Sequence, residues 1–565
     1  MANKKEFLGE ALIEKGLITR DQLQLALEEQ KKSGELLGNI LVRKKYVSEE
    51  TMVLLLSVLL GVDYVDLSSK KISPDVIQSV PENIARKFKV IPLEKNSNVL
   101  TLAMVDPKNI FALDEIKSNL NCAVEPRIAT ESGIKRALKR CYGGSTKLKE
   151  IITSAQDEIE SMTQLGEESR MYDLSDEDGN AVAIRLVNQL LTDAVKDNVS
   201  DIHIEPQIQK TVTRFRKDGL LHGVISIPKH LHEAIVSRVK IMARLDIAER
   251  RMPQDGKFPM KVEKSDIDVR ISIYPTINGE KIVMRILNRT AVAFGIESLD
   301  FDKRALATFM SLIKKPHGIL LVTGPTGSGK TSTLYTILET IKCPEKNLVT
   351  IEDPVEYELS GITQSQTNSK IGLDFAILLR SLLRQDPDVV LVGEIRDLET
   401  AEVSIRAALT GHLVLATLHT NDAPGAIVRL IDMGIKPYLV ASSTIGVIAQ
   451  RLVRTICSEC REELPIKPEV RKKLELPEGH NLYHGRGCDQ CNGTGYSGRT
   501  AIFEIMPIDE ELKSLITRRA SSGQIKRVAR KKEMRTLRED ALRKVLQGIT
   551  TIEEALRVVG ESSVE

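Results

Sequence analysis

The sequence predicts an α/β protein whose largest part is a parallel sheet flanked by helices, and three observations predict it. Four short apolar runs, "ILLVTG" (319–324), "LVTIED" (348–353), "VVLVGE" (389–394) and "LVLATLH" (413–419), each end in polar residues, as strands buried on both faces of a parallel sheet do. The segment "GPTGSGKT" (324–331) closes the first run and precedes a helical pattern. Before residue 300, alternating segments and amphipathic stretches read as smaller α+β units.

A chain of 565 residues has room for three to five packed units. Lys plus Arg (80) nearly balances Asp plus Glu (78), so net charge gives no argument for nucleic acid. No apolar run reaches the roughly 18 to 20 residues that cross a bilayer. The longest candidate, "MVLLLSVLLGV" (52–62), is too short, and the N-terminus lacks the apolar core of a signal peptide. The expectation is a cytoplasmic protein. Trp is absent, which gives no support to a carbohydrate or aromatic-cage binder.

Residues 1–61 contain an imperfect repeat. "FLGEALIEKGLITRDQLQLALEEQ" (7–30) aligns with "LLGNILVRKKYVSEETMVLLLSVL" (36–59), pairing Leu12 with Leu41, Ile18 with Val47, and Thr19 with Ser48 as helix N-caps. Each copy reads as helix, turn, helix. Residues 62–145 read as a small α+β unit with a hairpin in "FKVIPLEKNSNVLTLAMVD" and helices near 108–119 and 131–140. Residues 146–180 are rich in acids and poor in large apolar side chains, the composition of a flexible linker. Residues 181–300 read as a second α+β domain, with an amphipathic helix, three strands, a basic helix (231–250) and a hairpin around Asn278-Gly279. Residues 301–565 hold the parallel sheet, a cysteine-rich insert (457–491) and C-terminal helices.

"GPTGSGKT" fills every fixed position of GxxxxGK[ST] in the strand–loop–helix context the motif requires. Its glycines let backbone N–H groups point inward, and the helix N-terminus adds partial positive charge where phosphate sits. The segment Gly324, Thr326, Gly327, Ser328, Gly329, Lys330, Thr331 and Ser332 is therefore expected to bind a nucleoside triphosphate. Lys330 would reach the β and γ phosphates and the Thr331 hydroxyl a Mg²⁺ ion. Hydrolysis also needs an acid at the metal and a group that orients water. "VVLVGE" offers Glu394 and "TIEDPVE" offers Glu352, Asp353 and Glu356, all at strand ends beside the loop, where ligands bind such sheets. His412 and His419 bracket a fourth strand, so at least one imidazole is expected near the γ phosphate.

The chain has seven cysteines, and four of them form two CxxC pairs, Cys457/Cys460 and Cys488/Cys491, with 27 residues between. Four thiolates close a tetrahedral shell with no open position, so a structural Zn²⁺ is expected. A Cys₃His shell with the nearby His480 or His484 is the alternative.

The ordered set "GPTGSGKT", "TIEDPVEY", "LLRQDPDVVLVGEIRD" and "TGHLVLATLHTNDA" resembles the Walker A, Asp box, Walker B and His box of the secretion ATPase superfamily, which drives type II secretion and type IV pilus assembly. The resemblance runs from about residue 180 to 560. It implies a RecA-like P-loop core with a preceding PAS-like α+β domain, a zinc-binding subdomain and an N-terminal regulatory region. It further implies ATP as substrate, a homohexameric ring, and peripheral attachment to the inner membrane through a platform protein and docking proteins. "DVRIS" and "VMRIL" match the family's phosphate-approaching arginines, which assigns Arg270 and Arg285 that role; Arg380, Arg384, Arg396 and Arg499 are further matches. By the same resemblance Glu356 is the general base and Glu394 the metal and water ligand, an assignment that could be exchanged. The resemblance also separates pilus extension and secretion ATPases, which carry the cysteine knuckle and a long N-terminal region, from retraction ATPases, which lack both. The implied function is pilus extension, with a type II secretion ATPase as the alternative.

The repeat is similar to modules that bind cyclic di-GMP through "RLGxxLxxxGxxxxxxLxxxLxxQ". Leu8, Gly9, Gly16 and Gln30 match, but Phe7 stands for the arginine, Lys45 for the second glycine and Leu59 for the second glutamine. Docking to a membrane-associated partner is the expected role, with cyclic di-GMP as the alternative ligand. A DNA-translocating ring would need a basic, aromatic stripe, and none is evident, so no nucleic-acid partner is expected. A non-hydrolysing scaffold would not need both Glu356 and Glu394.

Overall fold

The computed structural model describes residues 5–33, 37–67, 72–96, 99–120, 122–142, 177–262, 265–288, 295–465, 481–488 and 490–560, together with Leu148 and Ile151. The expected linker therefore lies mostly outside the described residues. The chain forms two compact units, residues 1–144 with 486–495, and residues 145–485 with 496–565.

In the first unit the repeat becomes two helix pairs, Lys5–Glu14 with Arg20–Ser33 and Leu37–Arg43 with Glu49–Leu60. The aligned residues play equal parts: Leu12 and Leu41 are fully buried, as are Ile18 and Val47 within a few per cent. Gly16 (φ +67°) and Lys45 (φ +59°) both turn the chain through the left-handed region, so Lys45 pays the strain that glycine avoids. Thr19 and Ser48 cap as expected, accepting from the backbone N–H of Gln22 at 3.3 Å and Thr51 at 3.1 Å. The α+β part follows. Strands Val90–Asn96 and Val99–Met104 form an antiparallel hairpin, and Ala123–Ile128 lies parallel to the second after the helix Ile110–Leu120.

In the second unit, the helix Glu177–Lys196 starts four residues ahead of the boundary read from sequence. It packs with the helix His232–Ala243 on a six-stranded antiparallel sheet ordered 220–228, 210–217, 201–206, 279–288, 265–276, 254–262. The basic helix is shorter than expected because Arg244 takes a left-handed cap (φ +56°). The same unit holds a seven-stranded sheet ordered 363–366, 348–352, 389–392, 413–418, 318–323, 444–456, 496–507. All neighbours are parallel except the last pair. The strands 318–323, 348–352, 389–392 and 413–418 are buried at every residue, which explains their unbroken apolar pattern.

Four helices at the C-terminus end in Ile552–Val559, which is tied to the strand 444–456 by Glu554. This buried carboxylate accepts from the Arg454 backbone N–H (3.1 Å) and guanidinium (2.9 and 3.1 Å) and from Arg557 (2.6 and 2.7 Å). Burial alone would raise its pKa, but the Arg557 and Arg454 guanidiniums prevail and hold it below the ordinary 4.5. A lowered carboxyl pKa stabilises the fold above that ordinary value, and the contribution is lost as pH falls below it. Glu554→Ala is expected to cost about 3 kcal/mol by leaving Arg454 unpaired. In thermal melts, Glu554→Gln should also lose less stability between pH 7 and pH 4 than the parent; equal losses would contradict the assignment.

Candidate functional site

Strand 318–323 ends in buried Thr323, and the chain must then turn without side chains. A Cβ on Gly324 (φ +153°) would lie 2.4 Å from the Gln450 carbonyl oxygen, and one on Gly329 (φ +88°) 2.8 Å from Gln450 Nε2. Only glycine fits this close approach of loop and strand. The loop leads into the helix Lys330–Ile341, whose first turn faces a cavity of about 550 Å³. Thr326, Gly327, Ser328, Gly329, Lys330, Thr331 and Ser332 line it from one side. Glu352, Asp353, Glu356, Glu394, Arg396 and His419 line it from the strand ends, and Arg285 from the preceding domain. Lys330 Nζ donates to the loop's own carbonyls, Gly324 at 2.8 Å and Pro325 at 3.1 Å. Burial pushes its pKa down, opposed by the charge of Glu394.

The acids are held differently. Glu394 follows strand 389–392 with its carboxylate largely buried; one oxygen pairs with Arg396 and the other is 3.3 Å from His419 Nε2. Thr331 and Glu394 together offer hydroxyl and carboxylate oxygens, a donor set that suits a hard divalent cation such as Mg²⁺. Glu356 pairs with Arg270 through its two terminal guanidinium nitrogens, at 3.1 and 3.0 Å, and Arg270 also donates to the Val355 carbonyl at 3.1 Å. Glu352 is saturated. It accepts from Tyr335 O–H, from Thr350 O–H at 2.6 Å and from Gln364 Nε2 at 3.1 Å, so this buried acid is a brace. Burial, and then the bond to Glu352, push the Tyr335 hydroxyl pKa up, which keeps it a donor.

Arg270 and Arg285 are direct cross-strand partners, which is why two separate sequence motifs put their side chains on one face of the sheet. Arg285 Nε donates to Asp201 Oδ1 at 3.0 Å. Of the four further arginines, only Arg396 lines the cavity. Arg380 pairs with Glu399, Arg384 donates to the Arg380 carbonyl, and Arg499 lies 3.7 Å from Asp218. The two histidines separate likewise. His419 lines the cavity, whereas His412 precedes strand 413–418 at its opposite end, with Nδ1 2.8 Å from the Ala407 carbonyl oxygen.

Sequence reasoning missed Gln450. It is buried in the strand 444–456, and its Oε1 accepts from Thr333 O–H at 2.7 Å beneath the phosphate loop. A glutamine inside the apolar run "TIGVIAQRLV" was the available signal.

Cys457, Cys460, Cys488 and Cys491 place their sulfur atoms within 4.8 Å of one another, and three of the residues are buried. None is in a disulfide. Cys488 and Cys491 Sγ are 3.7 Å apart, close to the roughly 3.8 Å edge of a tetrahedron with 2.3 Å Zn–S bonds. Backbone N–H groups of Cys488 and Gly495 point at Cys491 Sγ at 3.1 and 3.3 Å, as suits a thiolate. The residues fit Zn²⁺. His484 instead lies 3.3 Å from Glu462, and His480 is outside the described residues.

Residues 176–557 match the protein family described as type II/IV secretion system protein, and residues 60–148 match the MshEN domain. The latter match falls on the α+β part of the first unit and not on the helical repeat. The chain is 42% identical over 563 residues to the type IV pilus assembly ATPase PilB of Myxococcus xanthus, covering 98% of this chain and 99% of that protein. It is 43% identical over 598 residues to PilB of Thermus thermophilus, covering 98% and 66% respectively. Against the type II secretion system protein HxcR of Pseudomonas aeruginosa it is 46% identical over 425 residues, covering 75% and 87%.

Proposed function

Because the chain belongs to the type II/IV secretion system protein family and is a secretion ATPase, we propose that it hydrolyses ATP to drive the assembly of a type IV pilus. The supporting observation is the single cavity on which the phosphate loop, both candidate acids, His419 and Arg285 converge. In this reading Lys330 and the loop N–H groups bind the phosphates, and Glu356 takes the proton of the attacking water. Thr331 and Glu394 would hold Mg²⁺, which when bound offsets phosphate charge. Arg270 and Arg285 stabilise charge on the transferring phosphoryl group, for which a guanidinium fork is suited. His419 orients Glu394, its 3.3 Å neighbour. This reading assigns the metal to Glu394, which lines the cavity together with Thr331, and the water to Glu356.

Glu356→Gln is expected to leave ATP affinity intact and to lower kcat about 10²–10⁴-fold, the range of a lost general base. Glu394→Gln should instead weaken Mg²⁺ dependence as well. The check is steady-state phosphate release against Mg²⁺ and ATP titrations, and normal turnover by Glu356→Gln would refute the assignment.

The motor acts as a homohexamer, with rigid-body closure of the 177–288 domain on the core passing the stroke to an inner-membrane platform protein. No helix among the described residues is long and apolar enough to cross a membrane, so this reading attaches the protein to the membrane through partners. Inner-membrane docking proteins are assigned to the N-terminal unit. Cyclic di-GMP is the candidate small regulator there, on the partial match of the helical repeat to the cyclic di-GMP motif. The comparable identity to HxcR favours one second reading, a type II secretion ATPase. Gene deletion decides: loss of surface filaments with secretion intact supports pilus assembly, and the converse supports secretion.

A further inference from the structure

The loop that carries Glu356 has no regular structure of its own between Glu352 and the edge strand Thr363–Gln366. Something else must fix its backbone. The edge strand reads T-Q-S-Q, so Gln364 and Gln366 share one face. Its register sets Gln364 beside Thr350 and Gln366 beside Glu352. The loop folds back over this face and is held by the two amides. Gln366 Oε1 accepts from the Val355 N–H at 3.3 Å. Gln364 does more: its Oε1 accepts from the Leu359 N–H at 2.6 Å, while its Nε2 donates to the Tyr357 carbonyl at 3.0 Å and to Glu352 at 3.1 Å.

One side chain thus satisfies backbone groups on both sides of Glu358, beginning one residue after Glu356. Only this amide orientation works, since a flipped Gln364 would set its oxygen against the Glu352 carboxylate and its NH₂ against the Leu359 N–H. Glu352 is in turn held by Tyr335, on the helix that begins at Lys330. A continuous relay therefore runs from the phosphate-loop helix through Tyr335, Glu352 and Gln364 to the Glu356 loop.

We infer that Gln364 is a positioning residue for ATP hydrolysis, setting the Glu356 carboxylate relative to the phosphate loop. The inference rests on the reading of Glu356 as the water-activating group. Gln364 touches neither the nucleotide loop nor Glu356 itself, so its substitution should change kcat and spare binding.

The test uses the full-length chain with Mg-ATP and three variants: Gln364→Leu, Gln364→Glu and Glu356→Gln. Gln364→Leu keeps the bulk and removes the amide. It is expected to lower kcat on the order of 10–100-fold, the cost of misplacing a catalytic group by about an ångström. KM and affinity for a non-hydrolysable ATP analogue should hold, while the melting temperature falls modestly because the Leu359 N–H and the Tyr357 carbonyl lose a partner. Gln364→Glu keeps the shape but, ionised, loses both donations and faces Glu352. Protonation restores one donor, so its activity relative to the parent should rise as pH falls from 8 to 6, whereas that of Gln364→Leu stays level. Parental kcat in Gln364→Leu, or equal losses in turnover and analogue affinity, would overturn the inference, as would a pH-independent ratio for Gln364→Glu. If Glu356→Gln is inactive while Gln364→Leu is normal, positioning alone fails. If Glu356→Gln turns over normally, the underlying reading of Glu356 fails instead.

Discussion

Lys330→Ala is expected to reduce ATP turnover about a thousandfold, to background, and to abolish surface filaments in cells that carry only this variant. In the structure the ammonium bridges the Gly324 and Pro325 carbonyls. Triphosphate would replace those carbonyls as its partner, and no other residue of the loop carries a cation. Removing one preorganised charge contact from developing phosphate charge typically costs 10²–10³-fold in kcat, and the lost ground-state binding adds to it. The fold should survive. Lys330 is half-buried at the cavity wall, and water can take over its two carbonyls once the side chain is gone. The measurement is phosphate release by purified protein with a melting curve as control, alongside filament imaging. Filaments at parental levels would refute the motor reading.

Cys491→Ser is expected to abolish Zn²⁺ binding and to loosen the two cysteine hooks. Structural zinc supplies on the order of 10 kcal/mol of folding free energy to small sites, and three thiolates hold it far less well than four. The consequence should reach the nucleotide site through the chain itself. Ile456, the residue before Cys457, ends the strand 444–456, which runs beside the phosphate-loop strand and carries Gln450 under the loop. A loosened strand end should therefore lower turnover as well as the melting temperature. One zinc per parental chain, its absence in Cys491→Ser and its retention in Cys343→Ser, a substitution outside the cluster, are the expected metal contents. A parental chain without zinc would sink the prediction.

The chemistry of the site was legible in the sequence because a parallel sheet makes it so. Strands buried on both faces must be apolar throughout, so the polar residue that ends each one stands out, and parallel direction sends all of those ends to one edge. Glu394, His419 and the phosphate loop follow from that rule. His412 flanks the same strand but at the wrong end, a difference that strand direction resolves and residue type does not. Arg270 and Arg285 were matched by motif, yet the pairing of Arg270 with Glu356 depends on how one domain lies on another. Gln364 and Gln450 are amides whose partners are 5 to 117 residues away; Gln450 stands out as a polar residue in an apolar run, but its partner does not, and no local pattern marks Gln364.

The sequence by itself determined the buried strand segments, the phosphate loop, the cysteine hooks and the two-fold helical repeat, because periodicity and fixed spacing are properties of consecutive residues. Only the tertiary structure decided which partners surround each acid. Glu352 and Glu356 are four residues apart and chemically alike. One accepts from Tyr335, Thr350 and Gln364, and the other pairs with the Arg270 guanidinium across a domain boundary. A carboxylate's role is set by the donors and solvent around it, and those arrive from distant parts of the chain.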